Sequence, residues 1–240
     1  MVEAFLWGSG AASSLLIGAA IALKWRMPRL TLGLITAFGV GVLMSAVAFE
    51  LVEEAAQLGH HHHIIALGLL VGSLTFFFGT WVIEKQGNGR ATRKSSDSSP
   101  FAIFVGTALD GIPESIVLGL SLIGDRTVSI GMLVAVFLSN LPEAIAATTD
   151  LRTAKWRSGP ILLLWLGIVA VSGVAALAGF AIFSSFSPTV TAFTLSFAAG
   201  ALITMLADAM MPDAYKESRN YAGIATTAGF FVAFWINQIT

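Results

Sequence analysis

No cysteine occurs among the 240 residues. Its absence excludes a disulfide framework, a cysteine zinc finger and a thiol nucleophile, and it leaves the redox compartment unread. Charge is almost as scarce: Asp, Glu, Lys and Arg make up 11% of the chain, where a soluble domain carries about 25%. The net charge is -1 and no basic stripe appears, so nothing points to nucleic acid or another polyanionic partner. No nucleotide-binding motif is present either. The opening residues, MVEAFLWGSG, contain Glu3 but no Lys or Arg. They lack the basic region of a cleaved signal peptide, so the first apolar run is expected to be a retained helix. What the chain has in abundance is apolar surface: 56% of residues are hydrophobic and the mean hydropathy is +0.83. It reads as an integral membrane protein.

Crossing ~30 Å of hydrocarbon takes a helix of ~20 mostly apolar residues. Such runs fall at 4–23, 30–54, 64–84, 100–123, 128–149, 159–183, 188–211 and 220–239, which predicts an all-α bundle of about eight transmembrane helices. One polar stretch, EKQGNGRATRKSSDSSP, supplies a flexible loop at 85–99. The other connections are short, so residues 1–240 read as a single transmembrane transporter-like domain. Lys24, Arg26 and Arg29 lie in the first connection, and Lys85, Arg90, Arg93 and Lys94 in the third. Arg152, Lys155 and Arg157 lie in the fifth, Lys216 and Arg219 in the seventh, and Arg126 alone falls in an even one. Cations favour the cytoplasmic side of short loops. Loop 85–99 is therefore expected inside and both termini outside, in a multi-pass protein of the cell (plasma) membrane.

Two internal echoes suggest a 3+2+3 inverted repeat. FGVGVLMSAVAFELVEEA (38–55), on the second run, resembles FAAGALITMLADAMMPDA (197–214), on the seventh. DGIPE (110–114) resembles SNLPE (139–143) on the fourth and fifth. Runs two and seven cross in opposite directions, so their copies would be inverted.

The paired Pro-Glu segments carry the chemistry. A carboxylate at mid-membrane costs ~2.5–3.5 kcal/mol on insertion scales. Asp110, Glu114 and Glu143 all sit near the middle of apolar runs, with no Lys, Arg or His at comparable depth. They are either protonated or neutralised by a cation that the chain does not encode, and a metal is the simplest one. Asp110 and Glu114 are spaced i,i+4 and share a helix face. Ser139 and Glu143 repeat that spacing, with Asn140 three residues from Glu143. Pro113 and Pro142 each lack an N–H, which frees the carbonyls of Leu109 and Leu138, and in lipid such a carbonyl needs a partner or a wet cavity. Two carboxylate-bearing bent helices thus offer an oxygen-rich coordination shell.

These segments resemble the paired motifs of the ZIP (Zrt/Irt-like) family of divalent metal transporters, His-Asn-x-Pro-Glu-Gly and x-Asn-x-Pro-Glu-Gly. Here they read DGIPES and SNLPEA. The second and seventh runs are similar to the family's FAAGAML…PEA helices, and the resemblance covers nearly the whole chain. It implies about eight helices, termini outside, and metal ligands at Asp110, Glu114, Ser139, Asn140 and Glu143. Asp110 stands where the family has histidine, Gly111 where it has asparagine, and Ser139 where His or Gln is common. Losing imidazole leaves oxygen donors, which suit Mg, Ca and Mn, while zinc also accepts carboxylates. Zinc, iron and manganese all stay open as cargo, and no prosthetic group is expected.

Further metal candidates lie toward the ends. Glu50 and Glu54 close the second run beside LGHHHHIIA, where His61 and His62 are good ligands for an outer collecting site. Asp208 lies deeper in the seventh run than Asp213 and is the better pathway residue. Asp150, near Arg152, reads equally as ion exit or as an ion-pair partner. The expected function is a divalent cation transporter working toward the cytoplasm, and not an enzyme. Its expected partners are the lipid bilayer and the metal ion, with a homodimer left open. Alternatives are a non-transporting metal sensor, a proton or calcium channel, and an intramembrane aspartyl protease. The last would need two facing aspartates, and the chain shows no Gly-x-Gly-Asp pattern.

Overall fold

The computed structural model describes residues 1–58, 62–85, 100–122, 130–184 and 186–239, and at 83–84, 100–106 and 108–110 the backbone alone. Every regular element among the described residues is helical. They are α1 (Val2–Lys24), α2 (Arg29–Leu58), α3 (His62–Lys85), α4 (Pro100–Leu120), α5 (Ile130–Thr153) and α6 (Ser158–Phe183). The seventh rod, α7, joins Pro188–Met205 to Met211–Ser218 through the π-turn Leu206–Met210, and α8 is Ala222–Ile239. A similar π-turn, Val47–Val52, interrupts α2. Six helices are long and apolar enough to cross a membrane, with 188–239 taken as one, and Gly111–Leu120 is a shorter apolar helix. That last stretch divides at Arg219, whose φ of 48° turns the chain out of α7. This is a multi-pass helical membrane bundle. Loop 86–99 and the His60–His61 pair lie outside the described residues.

Each end of a rod follows from local chemistry. Extended residues at Pro28, Arg157 and Ser187 precede α2, α6 and α7; proline cannot continue a helix backward but is at home in its first turn. Between α5 and α6 the chain turns at Lys155, φ 62°. There Trp156 N–H donates to the Leu151 carbonyl and Lys155 N–H to Arg152, at 3.0 and 2.9 Å. This is the paired bonding that closes a helix with a left-handed residue, a place usually taken by glycine.

In a membrane the hydrophobic effect does not drive helix against helix, so close backbone approach and a few polar bonds must do so. Helix α1 buries Ala4, Gly8, Ala11, Ala12, Leu15, Ala19 and Ala22, a small-residue stripe of helical period, against α5 and α6. Helix α2 meets α8 backbone to backbone. A Cβ on Gly41 would overlap the Thr226 carbonyl oxygen, and one on Gly229 the Phe38 oxygen. Helix α3 meets α7 in the same way, Gly72 against Phe197 and Gly200 against Leu69, reinforced by Thr204 Oγ1 donating to Ser73 Oγ at 2.8 Å. Buried Trp165 donates its indole N–H to Thr148 Oγ1 at 2.8 Å and ties α6 to α5.

The register of these contacts gives relative direction. Along α2, Ala37 packs near Ala222 and Ala225, Gly41 near Thr226, and Phe49 near Phe234, so α2 and α8 run parallel. Gly68, Leu69, Gly72 and Ser73 meet Ser196, Gly200, Phe197 and Thr204, so α3 and α7 are also parallel. Helices α2 and α5 oppose each other, Gly39 beside Leu138 and Ser139, Glu50 beside Gly131. In these pairs, rods of equal parity are parallel and rods of unequal parity antiparallel, as alternating successive rods require. Exchanging the first three rods with the last three turns the α2–α8 pair into the α7–α3 pair, the relation that the echo of Phe38–Gly41 with Phe197–Gly200 anticipates.

Candidate functional site

Helices α4 and α5 each carry a proline mid-rod, Pro113 and Pro142. The carbonyl freed by Pro142, at Leu138, faces α2 at Gly39, where the missing side chain makes room. Ser139 is 3% exposed and donates its hydroxyl to the Val136 carbonyl at 3.0 Å, leaving its lone pairs available. On α4, Ser115 bonds back to Gly111 at 2.7 Å. Both hydroxyls thus satisfy backbone carbonyls around the two prolines.

Glu114 and Glu143 line one cavity of about 490 Å³. Glu114 is 3% exposed and Glu143 half-buried. Ser139 and Pro142 line the same space, and α7 closes it with Met205, Ala209 and Met210. The cavity runs from these buried residues to one end of the bundle, where Met27, Arg29, Asp150, Thr153, Lys216 and Glu217 line it. Every one of those belongs to, or adjoins, an odd-numbered connection. Five carboxylates (Glu114, Glu143, Asp150, Asp213, Glu217) face two basic side chains (Arg29, Lys216) in this lining. A cleft of one dominant sign with low-dielectric walls focuses its field and concentrates the opposite charge. The cavity therefore favours cations.

The other sequence candidates are distributed as follows. Asn140 is 5% exposed and lies next to the site on α5, outside the cavity lining. Asp110 lies on α4, and its side chain is outside the described part of the chain, as is all of His61. His62 is exposed at the first turn of α3. Asp208 is exposed on the π-turn of α7 and outside the cavity lining, whereas Asp213 is in it. Glu54 is half-buried near the end of α2, and Glu50, also half-buried, lies against Gly131. Among the described residues no three His, Asp or Glu are grouped closely enough to hold a metal ion.

Reading along the helix would have found the remaining lining. Glu143, Ala146, Ala147 and Asp150 follow i, i+3, i+4, i+7, one face of a helix, and all four face the cavity. On α7, Ala209, Met210, Asp213, Lys216 and Glu217 share a face in the same way, at i, i+1, i+4, i+7 and i+8. Depth in the membrane singled out Asp208; helical phase points to Asp213.

No family model matches the chain. It is 28% identical over 206 residues to a protein of Arabidopsis thaliana named "Putative zinc transporter", an alignment covering 84% of this chain and 32% of that protein. The similarity extends across most of the bundle. The chain spans about a third of the length of this curated relative.

Proposed function

We propose that this chain moves divalent metal cations, zinc, iron or manganese, across a membrane toward the cytoplasm, as a transporter of the ZIP type. One observation carries the reading: Glu114 and Glu143, from two proline-bearing helices, open onto a single acidic cavity. The similarity to a protein named as a zinc transporter supports it. So does the clustering of cations in the odd connections, which favours the cavity's mouth as the cytoplasmic end with both termini outside.

In this reading the ion is held at the level of Pro113 and Pro142 by Glu114 and Glu143, with Asp110 as a proposed further carboxylate ligand and neutral oxygens from Ser139 and Asn140. Carboxylates replace hydration waters as the ion enters, and the ion's charge offsets the cost of holding negative groups at this depth. Release then follows the wall of Asp150, Asp213 and Glu217. An inward divalent ion gains ~4.6 kcal/mol per 100 mV of potential, twice the single-charge figure, so electrical energy alone can drive uptake. The membrane is the cell membrane and the chain works without a prosthetic group.

The test is uptake into proteoliposomes with Zn, Fe, Mn, Co and Cd in turn, wild type against Glu143→Ala. Saturable flux is expected for at least one metal, and it should fall about tenfold or more in the variant, a loss of about 1.4 kcal/mol. Equal flux in both removes the site. A second reading has its own support: Gly111 offers no side chain and Ser139 stands where the resemblance implies His or Gln, departures that would suit a metal-sensing relative. Saturable binding without flux in the same vesicles would select it.

A further inference from the structure

Two stretches of the bundle share their framework, a phenylalanine, a packed glycine and a π-turn at equal spacing, and differ in the side chain that the π-turn presents. The π-turn Val47–Val52 begins nine residues after Phe38, and Leu206–Met210 begins nine after Phe197. A glycine at the third position after each phenylalanine, Gly41 or Gly200, packs on a neighbouring backbone. Twelve residues after each phenylalanine stand Glu50 and Ala209. Single π-turns within α-helices add a residue to the turn and re-aim the side chains there.

Glu50 is aimed at the start of α5. Its Oε1 occupies the space that a Cβ on Gly131 would need, so glycine at this second residue of the helix gives the carboxylate its seat and a larger residue would push it aside. The first turn of a helix presents N–H groups that have no partner within it, and carries the positive end of the dipole; a carboxylate is stabilised there. Around this contact Val47, Leu51, Met132, Ala135 and Val136 are buried in one apolar cluster. At the matching place in α7, Ala209 reaches no further than its Cβ, and it lines the open cavity.

We infer that Glu50 is a positioning residue: it clasps the π-turn of α2 to the first turn of α5 and holds that end of the bundle closed, while alanine at position 209 leaves the opposite end open. Helix α5 carries Ser139 and Glu143, so a clasp on its first turn also fixes where those groups stand. The inference rests on the proposed transport only in requiring that the two ends open in turn. Its test needs neither metal nor flux, so the two readings fail separately.

The chain has no cysteine, so single reporters can be placed without background. Ala135→Cys reports the closed end, since Ala135 is 0% exposed, and Ala147→Cys reports the cavity that Ala147 lines. In vesicles treated with a small polar maleimide, the Ala147→Cys reporter should label quickly and the Ala135→Cys reporter slowly. Adding Glu50→Ala should speed labelling at 135 and slow it at 147, each by about tenfold, as a shift between two states requires. Gly131→Ala should act in the same way by displacing the carboxylate. Glu50→Gln, which keeps an acceptor oxygen, should restore much of the original pattern. Ala209→Glu should slow labelling at 147 alone. A purely structural role would raise reactivity at both reporters together, and that outcome, or no change in either, overturns the inference.

Discussion

The proposed function rests on single side chains, and so does much of the specificity of packing. Glu114 and Glu143 were expected from their improbable depth in apolar runs, and the cavity joins them. The drop in flux predicted for Glu143→Ala therefore belongs to one carboxyl group, and Glu143→Gln should lose flux similarly, since an amide keeps the shape without the charge. Trp165 makes a different kind of test. Its ring is fully buried and its indole N–H is satisfied by Thr148, itself fully buried. Trp165→Phe removes the donor and some ring volume; melting in detergent should show a loss of about 1 kcal/mol for the hydrogen bond plus the packing deficit. Thr148→Val, which keeps volume but leaves the indole donor buried, should cost about as much again as the hydrogen bond alone. Flux per folded molecule should be unaffected in both, because neither residue lines the cavity.

Helices are held by the places where backbones nearly touch. Gly41 and Gly111 both sit mid-rod, yet their surroundings differ. At Gly41 a methyl group would overlap the Thr226 carbonyl, which is backbone and cannot yield. Gly41→Ala should therefore force α2 from α8 and cost about 1–3 kcal/mol as overpacking. At Gly111 the nearest atom to an added Cβ is Ser172 Oγ, 3.8 Å away. Gly111→Ala meets ordinary contact and should be neutral or gain up to about 1 kcal/mol from helix propensity. Thermal melting of the two variants side by side checks the contrast, and a costly Gly111→Ala would show that the glycine is needed for something other than space. The π-turns were invisible to periodicity. Inserting one extra residue into a turn leaves the apolar composition unchanged, so residues 47–52 and 206–210 read as ordinary helix.

The whole molecule is decided by parity. If all eight rods cross, the chain returns to the side from which it started, and cysteines introduced at Glu3 and Gln238 should react with an impermeant maleimide from the same side of a sealed vesicle. Reaction from opposite sides would mean an odd number of crossings. Such labelling would also show which side the cavity's mouth faces, because Arg29, Asp150 and Lys216 ring it.

Hydropathy alone settled that the chain enters a membrane and where its rods lie, since ~20 apolar residues in a row have few other uses. The expected runs and the observed helices overlap along their length, and the largest difference is at α7, which continues beyond 211 to Ser218 through the polar segment MPDAYKES. Motif spacing singled out Glu114, Ser139 and Glu143, because a carboxylate and a proline cannot both be buried in apolar helices without a reason. Which carboxylates share a space was a matter for the tertiary structure alone. Asp213 lines the cavity and Asp208 does not, although Asp208 lies deeper, because helical phase against neighbouring rods, rather than depth along one rod, sets what a side chain faces. Glu50 in the sequence is one acid among three at a helix end. Only packing puts its oxygen on Gly131, since a contact between residues 81 positions apart depends on how two rods cross, and no local pattern encodes that.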